Sequence, residues 1–211
     1  MKILIADDHA VVRRGLRVMI QEEYPHAQIG EVSNAEALLS EITRQPWTVV
    51  ICDMNMPGRS GLDALSQLRQ LAPHVPVLIM SVYPEEQYAI RVIRAGAAGY
   101  LSKDSLDNEL PAALKQVLKG KKYISADTAE KLAEAVQAPH DKKPHELLSD
   151  REFDVFKELA AGKSVSEIAD QFSLGVTTVS TYRSRILQKL SAPNNAALIK
   201  YALEHRLFEN S

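Results

Sequence analysis

At 211 residues, 45% hydrophobic and 25% charged, the chain has the composition of an ordinary globular protein, with length for one large domain or two small ones. A formal net charge of −2 excludes a uniformly basic nucleic-acid binder, and a single cysteine, Cys52, excludes an intramolecular disulfide. No apolar run nears the roughly 20 residues of a membrane span, and Met1–Ala6 is too short for a signal peptide, so the sequence reads as cytoplasmic with no membrane partner.

The first 124 residues alternate short apolar runs with helical periods. Strands are predicted at Lys2–Ala6, Gln28–Val32, Val49–Cys52, Val77–Ser81 and Gly99–Ser102. Helices are predicted at Ala10–Glu22, Asn34–Arg44, Gly61–Leu71, Glu85–Ala95 and Leu106–Lys119. Five such units imply an α/β domain, a doubly wound parallel sheet with helices on both faces. Uninterrupted apolar runs such as Val77-Leu78-Ile79-Met80 fit strands buried on both sides. The flavodoxin-like order 2-1-3-4-5 is the simplest arrangement. Cys52, inside one such run, reads as a buried small hydrophobe.

Residues 125–145 read as a further helix, Ser125–Val136, and a linker rich in proline and charge, Gln137–His145. From Glu146 to Ser211 the pattern is helical only. Ser149-x-x-Glu152 and Ser164-x-x-Glu167 have capping-box spacing. Gly162 and Gly175 punctuate, Val176–Leu190 is a longer helix, and Asn195–His205 follows Pro193-Asn194. The expectation is a small all-α domain of four helices.

Two places carry chemistry. Asp7 and Asp8 follow the first strand and Asp53 the third, which are neighbours at the switch point of the expected sheet. Three adjacent carboxylates repel one another and call for a cation. All-oxygen ligands suit Mg²⁺, which favours phosphate-bearing partners. Ser81 ends the fourth strand and Lys103 follows the fifth, on the same rim. The set suits phosphoryl transfer onto Asp53, with the metal and Lys103 neutralising the transferring oxygens and Ser81 donating a hydrogen bond. Haloacid-dehalogenase-type phosphatases also use an aspartate after a strand, but Asn55 stands where they carry a second acid. An adaptor without phosphorylation control would not need the acid, hydroxyl and lysine set. The chain therefore reads as no turnover enzyme, with slow autodephosphorylation at most.

Residues 1–120 resemble the receiver domain of bacterial response regulators. The matching stretches are Ile5-Ala6-Asp7-Asp8-His9, Asp53-Met54-Asn55-Met56-Pro57-Gly58, Gly61-Leu62, Ser81, Ala95-Gly96-Ala97-Ala98-Gly99-Tyr100 and Leu101-Ser102-Lys103. The resemblance implies phosphorylation of Asp53 by a sensor histidine kinase. It implies Mg²⁺ held by Asp7 or Asp8, Asp53 and the backbone carbonyl of Asn55. It also makes Ser81 and Tyr100 the switch pair. Val82 stands where many relatives have alanine.

The second place is the helix pair Ser164–Phe172 and Val176–Leu190, laid out as a helix-turn-helix. At 100° per residue, Val179, Ile186, Leu187 and Leu190 share one arc. The opposite arc carries Thr177, Ser180, Thr181, Ser184 and Gln188, short hydrogen-bonding side chains suited to base edges. Arg185 and Lys189 flank that arc, where phosphates would run. Thr178, Tyr182 and Arg183 lie along its other border. Residues 146–170 hold three Lys/Arg against seven Asp/Glu, a charge of −4, whereas residues 176–206 hold five against one, a charge of +4.

This segment resembles the LuxR-type helix-turn-helix through Leu148-Ser149-Asp150-Arg151-Glu152, Ala161-Gly162-Lys163-Ser164, Glu167-Ile168-Ala169, Thr178-Val179-Ser180-Thr181-Tyr182 and Ile186-Leu187-Gln188-Lys189-Leu190. Together the two halves place the chain with the NarL/FixJ group of response regulators, and its virulence and global-regulation members in particular. That implies binding to double-stranded DNA as a homodimer, with Val176–Leu190 in the major groove. It also implies a dimer contact at Asn195–Leu203, at the receiver, or at both. Ser180 and Tyr182 replace a common lysine and histidine, and Val165-Ser166 a common Asn-Lys pair, so affinity per protomer is expected to be modest.

Overall fold

The computed structural model describes residues 1–56, 61–83, 85–125, 128–130, 143–205 and 207–208. The chain divides into two compact units, Met1–Gln137 and Ala138–Ser211. The expected helix Ser125–Val136 and linker Gln137–His145 fall largely outside the described residues.

In the first unit, strands β1 (Lys2–Ala6), β2 (Gln28–Val32), β3 (Val49–Asp53), β4 (Val77–Ser81) and β5 (Gly99–Ser102) form one parallel sheet in the order β2-β1-β3-β4-β5. Between and after them run α1 (Ala10–Glu23), α2 (Ala35–Arg44), α3 (Gly61–Leu71), α4 (Glu85–Arg94) and α5 (Leu106–Val117). Every residue of β3 and β4 is buried, as their unbroken apolar runs require. On one face Ile3, Ile5, Ile51, Leu78, Met80 and Leu101 pack with Leu16 and Ile20 of α1 and with Leu110, Ala113 and Leu114 of α5. The alternate residues Leu4, Ala6, Val50, Cys52 and Ile79 are likewise fully buried and point to the other face.

Several helix ends move by one residue from the sequence reading, and two differences have a clear structural cause. β3 runs one residue further, to Asp53, because its ladder with β4 extends to the pair Asp53↔Met80. α5 stops at Val117 rather than Lys119, since Gly120 takes φ +75° and closes the helix with a bond from its N–H to the Val117 carbonyl at 2.9 Å. The chain then returns to the sheet. The Tyr123 N–H donates to the Ala98 carbonyl at 2.8 Å, and Tyr123 forms an isolated parallel bridge with Gly99. A Cβ on Gly99 would lie 2.7 Å from the Tyr123 carbonyl oxygen, so this approach requires glycine.

The second unit contains α6 (Asp150–Ala160), α7 (Val165–Gln171), α8 (Val176–Lys189) and α9 (Asn195–Glu204), preceded by a 3₁₀ turn at Pro144–Leu147. Both capping boxes form: Ser149 with Glu152 at the start of α6, and Ser164 with Glu167 at the start of α7. Asn194 caps α9 through its side chain. Val155, Phe156, Leu159, Ile168, Val179, Ile186 and Leu198 make a core from all four helices. The turn between α7 and α8 holds Ser173 at φ 53°, with the Leu174 N–H bonded back to the Ala169 carbonyl at 2.8 Å.

Candidate functional site

Parallel register assembles the acidic pocket. Ala6 pairs with Cys52 and Asp53 with Met80, so Asp7, Asp53 and Ser81 all leave the same edge of the sheet. Ser81 pairs with Ser102, and Lys103 follows at once. Asp7 is fully buried and Asp53 is 2% exposed. Lys103 Nζ reaches Asp7 Oδ2 at 2.7 Å and Asp53 Oδ2 at 3.1 Å, bridging the two. Ligand atoms of Asp7, Asp8, His9 and Asp53 all lie within 4.8 Å of one another.

Burial pushes the Asp53 carboxyl up to about 6; the charge of Asp7 adds to the rise, while Lys103 and the Asn55 N–H oppose it. For Lys103, burial disfavours the ammonium, but Asp53 and Asp7 together outweigh it and raise its pKa above the ordinary lysine value. Cys52, next to Asp53, is fully buried with its thiol directed at the Asp53 carbonyl at 3.3 Å, and burial raises its pKa. Gly61 is needed at the base of this strand end: a Cβ there would lie 2.3 Å from the Asp53 carbonyl oxygen.

The donor set fits a hard divalent cation. Three carboxylates converge, and the single ammonium among them engages Asp7 and Asp53 but has no contact with Asp8. Asp8 Oδ1 is buried and accepts no hydrogen bond; His9 Nδ1 lies 2.8 Å away but outside hydrogen-bonding geometry. An unsatisfied buried carboxylate oxygen beside two further acids is an arrangement that an oxygen-seeking cation would satisfy. Asp7 Oδ1 is oriented by the His9 N–H at 2.7 Å. The side chain of His9 itself is two-thirds exposed.

Ser81 and Tyr100 converge on one loop residue. Ser81 Oγ accepts the Tyr83 N–H at 3.1 Å, and the Tyr100 hydroxyl donates to the Tyr83 carbonyl at 2.6 Å. The Tyr100 ring is buried, 2% exposed.

A family model described as the response regulator receiver domain matches residues 3–115, more than half of the chain. The chain belongs to the response regulator family. A second model, bacterial regulatory proteins of the luxR family, matches residues 146–202 of this response regulator. It is 32% identical to the response regulator UvrY of Escherichia coli (strain K12) over 206 residues, 97% of this chain and 94% of that one. It is 34% identical to the response regulator GacA of Pseudomonas protegens over 211 residues, 100% of this chain and 99% of that one. Among solved structures, RcsB from Salmonella enterica serovar Typhimurium bound to promoter rprA with the phosphomimetic BeF3- aligns with TM-score 0.61 and 25% identity, covering 95% of this chain and 98% of that one.

The luxR-type segment of the response regulator presents the expected polar arc. Thr177, Thr178, Ser180, Thr181, Ser184, Arg185 and Gln188 are exposed on α8, Tyr182 is half-buried, and Val179, Ile186 and Leu190 face inward. Thr181 Oγ1 and Ser184 Oγ donate to the carbonyls of Thr177 and Ser180 at 2.9 and 3.0 Å. Two of the three cations on this helix are engaged within the unit. Arg183 Nε donates to Asn195 Oδ1 at 2.7 Å, which ties α8 to the start of α9. Lys189 Nζ bonds Glu152 Oε2 at 2.6 Å and the Leu147 carbonyl at 3.1 Å. Sequence reasoning missed both tethers, since helical periodicity places a side chain on a face without naming its distant partner. On α9, Leu203 is 61% exposed beside buried Ala202 and Leu198. Among the described residues no helix is long and apolar enough to cross a membrane.

Proposed function

We propose that the chain is a cytoplasmic transcription regulator switched by phosphorylation of Asp53 by a sensor histidine kinase. What carries the reading is the Lys103 ammonium bridging Asp7 and Asp53 at the sheet edge, beside an unsatisfied oxygen of Asp8. A carboxylate oxygen of Asp53 attacks the phosphorus of a phosphohistidine; the new O–P bond forms as the P–N bond breaks, and the imidazole leaves with a proton. Lys103 takes up a transferred oxygen's charge, and the Ser81 hydroxyl turns to donate to another. Mg²⁺, held by Asp7, Asp8, Asp53 and the Asn55 carbonyl, would supply the positive charge that offsets repulsion between the acids and the incoming phosphoryl group. Hydrolysis of the acyl phosphate is slow and intrinsic, not a turnover reaction.

For output, α8 enters the major groove of double-stranded DNA. Thr177, Thr178, Ser180, Thr181, Tyr182, Ser184 and Gln188 meet bases and backbone, and Arg185 meets phosphate. Arg183 and Lys189 act from behind, holding the helix on α9 and α6. A homodimer joins two weak half-site contacts, with α9 (Asn195–Leu203), the receiver, or both as the contact. UvrY and GacA are named response regulators, and the RcsB structure is of a promoter-bound protein, which supports this reading. The test is intact-mass spectrometry after incubation with phosphoramidate and Mg²⁺, followed by a DNA mobility shift. Wild-type protein gains one phosphoryl mass and binds promoter DNA more tightly; Asp53→Asn does neither. Full incorporation by Asp53→Asn overturns the site.

A further inference from the structure

Tyr83 stands between the acceptor pocket and α4. Ser81 and Tyr100 hold its backbone, and its ring stacks on buried Tyr88 of α4 with centroids 4.8 Å apart. The loop residue and the helix are therefore mechanically joined. Glu85, two residues on, opens α4. Its Oε1 accepts the Thr128 hydroxyl at 2.7 Å and the Ser125 N–H at 3.4 Å. Thr128 is 3% exposed, and its hydroxyl accepts in turn from Ser125 Oγ at 3.1 Å. Ser125 Oγ also accepts the Thr128 N–H at 3.2 Å. The relay Ser125–Thr128–Glu85 thus ends on a carboxylate, a charge-assisted acceptor for a buried hydroxyl.

The neighbouring chain is fixed as well. Tyr123 is bridged to Gly99 of β5, and its hydroxyl donates to Glu109 Oε2 at 3.2 Å. Burial, with the charges of Glu109 and Glu85, pushes the Tyr123 phenol up to about 12, which keeps it a neutral donor. The segment that leaves the receiver is pinned at two points. One, Tyr123, is on the sheet; the other, Thr128, is on the first residue of the helix whose entry the switch pair holds.

We infer that Glu85 is a positioning residue that couples the acceptor pocket to the segment leaving the receiver, through Ser125 and Thr128. The path is Ser81 and Tyr100 to Tyr83, Tyr83 to α4, and Glu85 of α4 to Thr128. An acidic residue at a helix start is also favoured by the helix dipole alone. The two roles separate under Glu85→Gln, which loses the charge but keeps an acceptor for Thr128. The trigger of the coupling rests on the phosphorylation reading above; the coupling itself does not need it.

The experiment is amide hydrogen exchange at Thr128 and Ala129 in the full chain. Their N–H groups bond Ser125 Oγ and the Ser125 carbonyl. Tyr100→Phe removes the hydroxyl that holds Tyr83 and is expected to speed exchange there about five-fold, the value of one hydrogen bond. Glu85→Ala does the same, Glu85→Gln exchanges like wild type, and Tyr100→Phe with Glu85→Ala exchanges no faster than Glu85→Ala alone. In a second arm, phosphoryl incorporation verified by mass changes the exchange in wild type and leaves it unchanged in Glu85→Ala. Wild-type exchange in Tyr100→Phe, or fully multiplicative effects of the two substitutions, overturns the coupling. Absence of phosphoryl incorporation in wild type sinks the phosphorylation reading, and the Tyr100–Glu85 cycle still decides the coupling.

Discussion

Asp8 differs from its two acidic neighbours in having no contact with the Lys103 ammonium. Asp7 and Asp53 share the Lys103 ammonium, whereas Asp8 Oδ1 is buried without a hydrogen bond. Without metal this oxygen costs the fold stability; in the proposed Mg²⁺ site it is a ligand. Asp8→Asn removes a like charge and is expected to stabilise the metal-free protein by about 1 kcal/mol, roughly 4 °C in melting temperature. The same substitution is expected to abolish most of the rise in melting temperature that Mg²⁺ gives wild type. Fluorescence of Trp47, the single tryptophan and buried in the first unit, reports both effects. Equal Mg²⁺-dependent stabilisation in the variant would remove Asp8 from the ligand set. At this scale the sequence was informative: Asp7, Asp8, Asp53, Ser81 and Lys103 were each legible as the residue that ends or follows a strand. The orphaned oxygen was not, because satisfaction of a lone pair depends on neighbours about fifty to a hundred positions away.

Among the elements, α8 is held by a buried carboxylate rather than by apolar packing alone. Burial disfavours the charge on Glu152, but the hydrogen bond from Lys189, those from Ser149 and the ammonium's charge outweigh it and hold the carboxyl below the ordinary carboxylate range. A native pKa below that of the unfolded chain contributes stability that is complete above the ordinary value. It is lost as pH falls through the lowered one. Melting of the second unit, followed calorimetrically, should therefore decline more steeply in wild type than in Glu152→Gln as pH falls below the ordinary value of 4.5. Parallel profiles would show that Glu152 contributes no such linkage. Lys189→Ala is expected to cost about 1–2 kcal/mol of stability, less than a wholly buried pair because Lys189 is partly exposed. It should leave the salt dependence of DNA binding unchanged, while Arg185→Ala lowers the slope by about one per protomer. A fall in slope for Lys189→Ala would restore that residue to the DNA face. The arcs of α8 were legible from its 3.6-residue period, and both capping boxes from their spacing. The tether of Lys189 to α6 was not, since its partner lies outside the helix that the period describes.

Over the whole molecule, an α/β unit with an acidic pocket and an all-α unit with a polar helix face occupy one chain, and each takes its chemistry from its own topology. The sheet order was legible because five alternating units leave few right-handed arrangements. The return of Tyr123 to the sheet was missed, since a single bridge leaves no period to detect. With one uncommitted cation on α8, each protomer gains little from counterion release. DNA binding should therefore rise with roughly the square of protein concentration when the chain is phosphorylated, measured by mobility shift across a dilution series. A first-power dependence would mean that one protomer suffices.

The position of Cys52 has a practical consequence. Its thiol is sealed beneath the sheet, and no other sulfhydryl exists in the chain. A maleimide dye added to folded protein would find nothing to react with, so no cysteine-free background has to be made. Cysteines introduced at one exposed site in each unit, such as Val11 and Thr177, would be the positions that take label. Donor and acceptor fluorophores on the two units would then follow how far apart they stand as Asp53 is phosphorylated, in a protein otherwise native at every position.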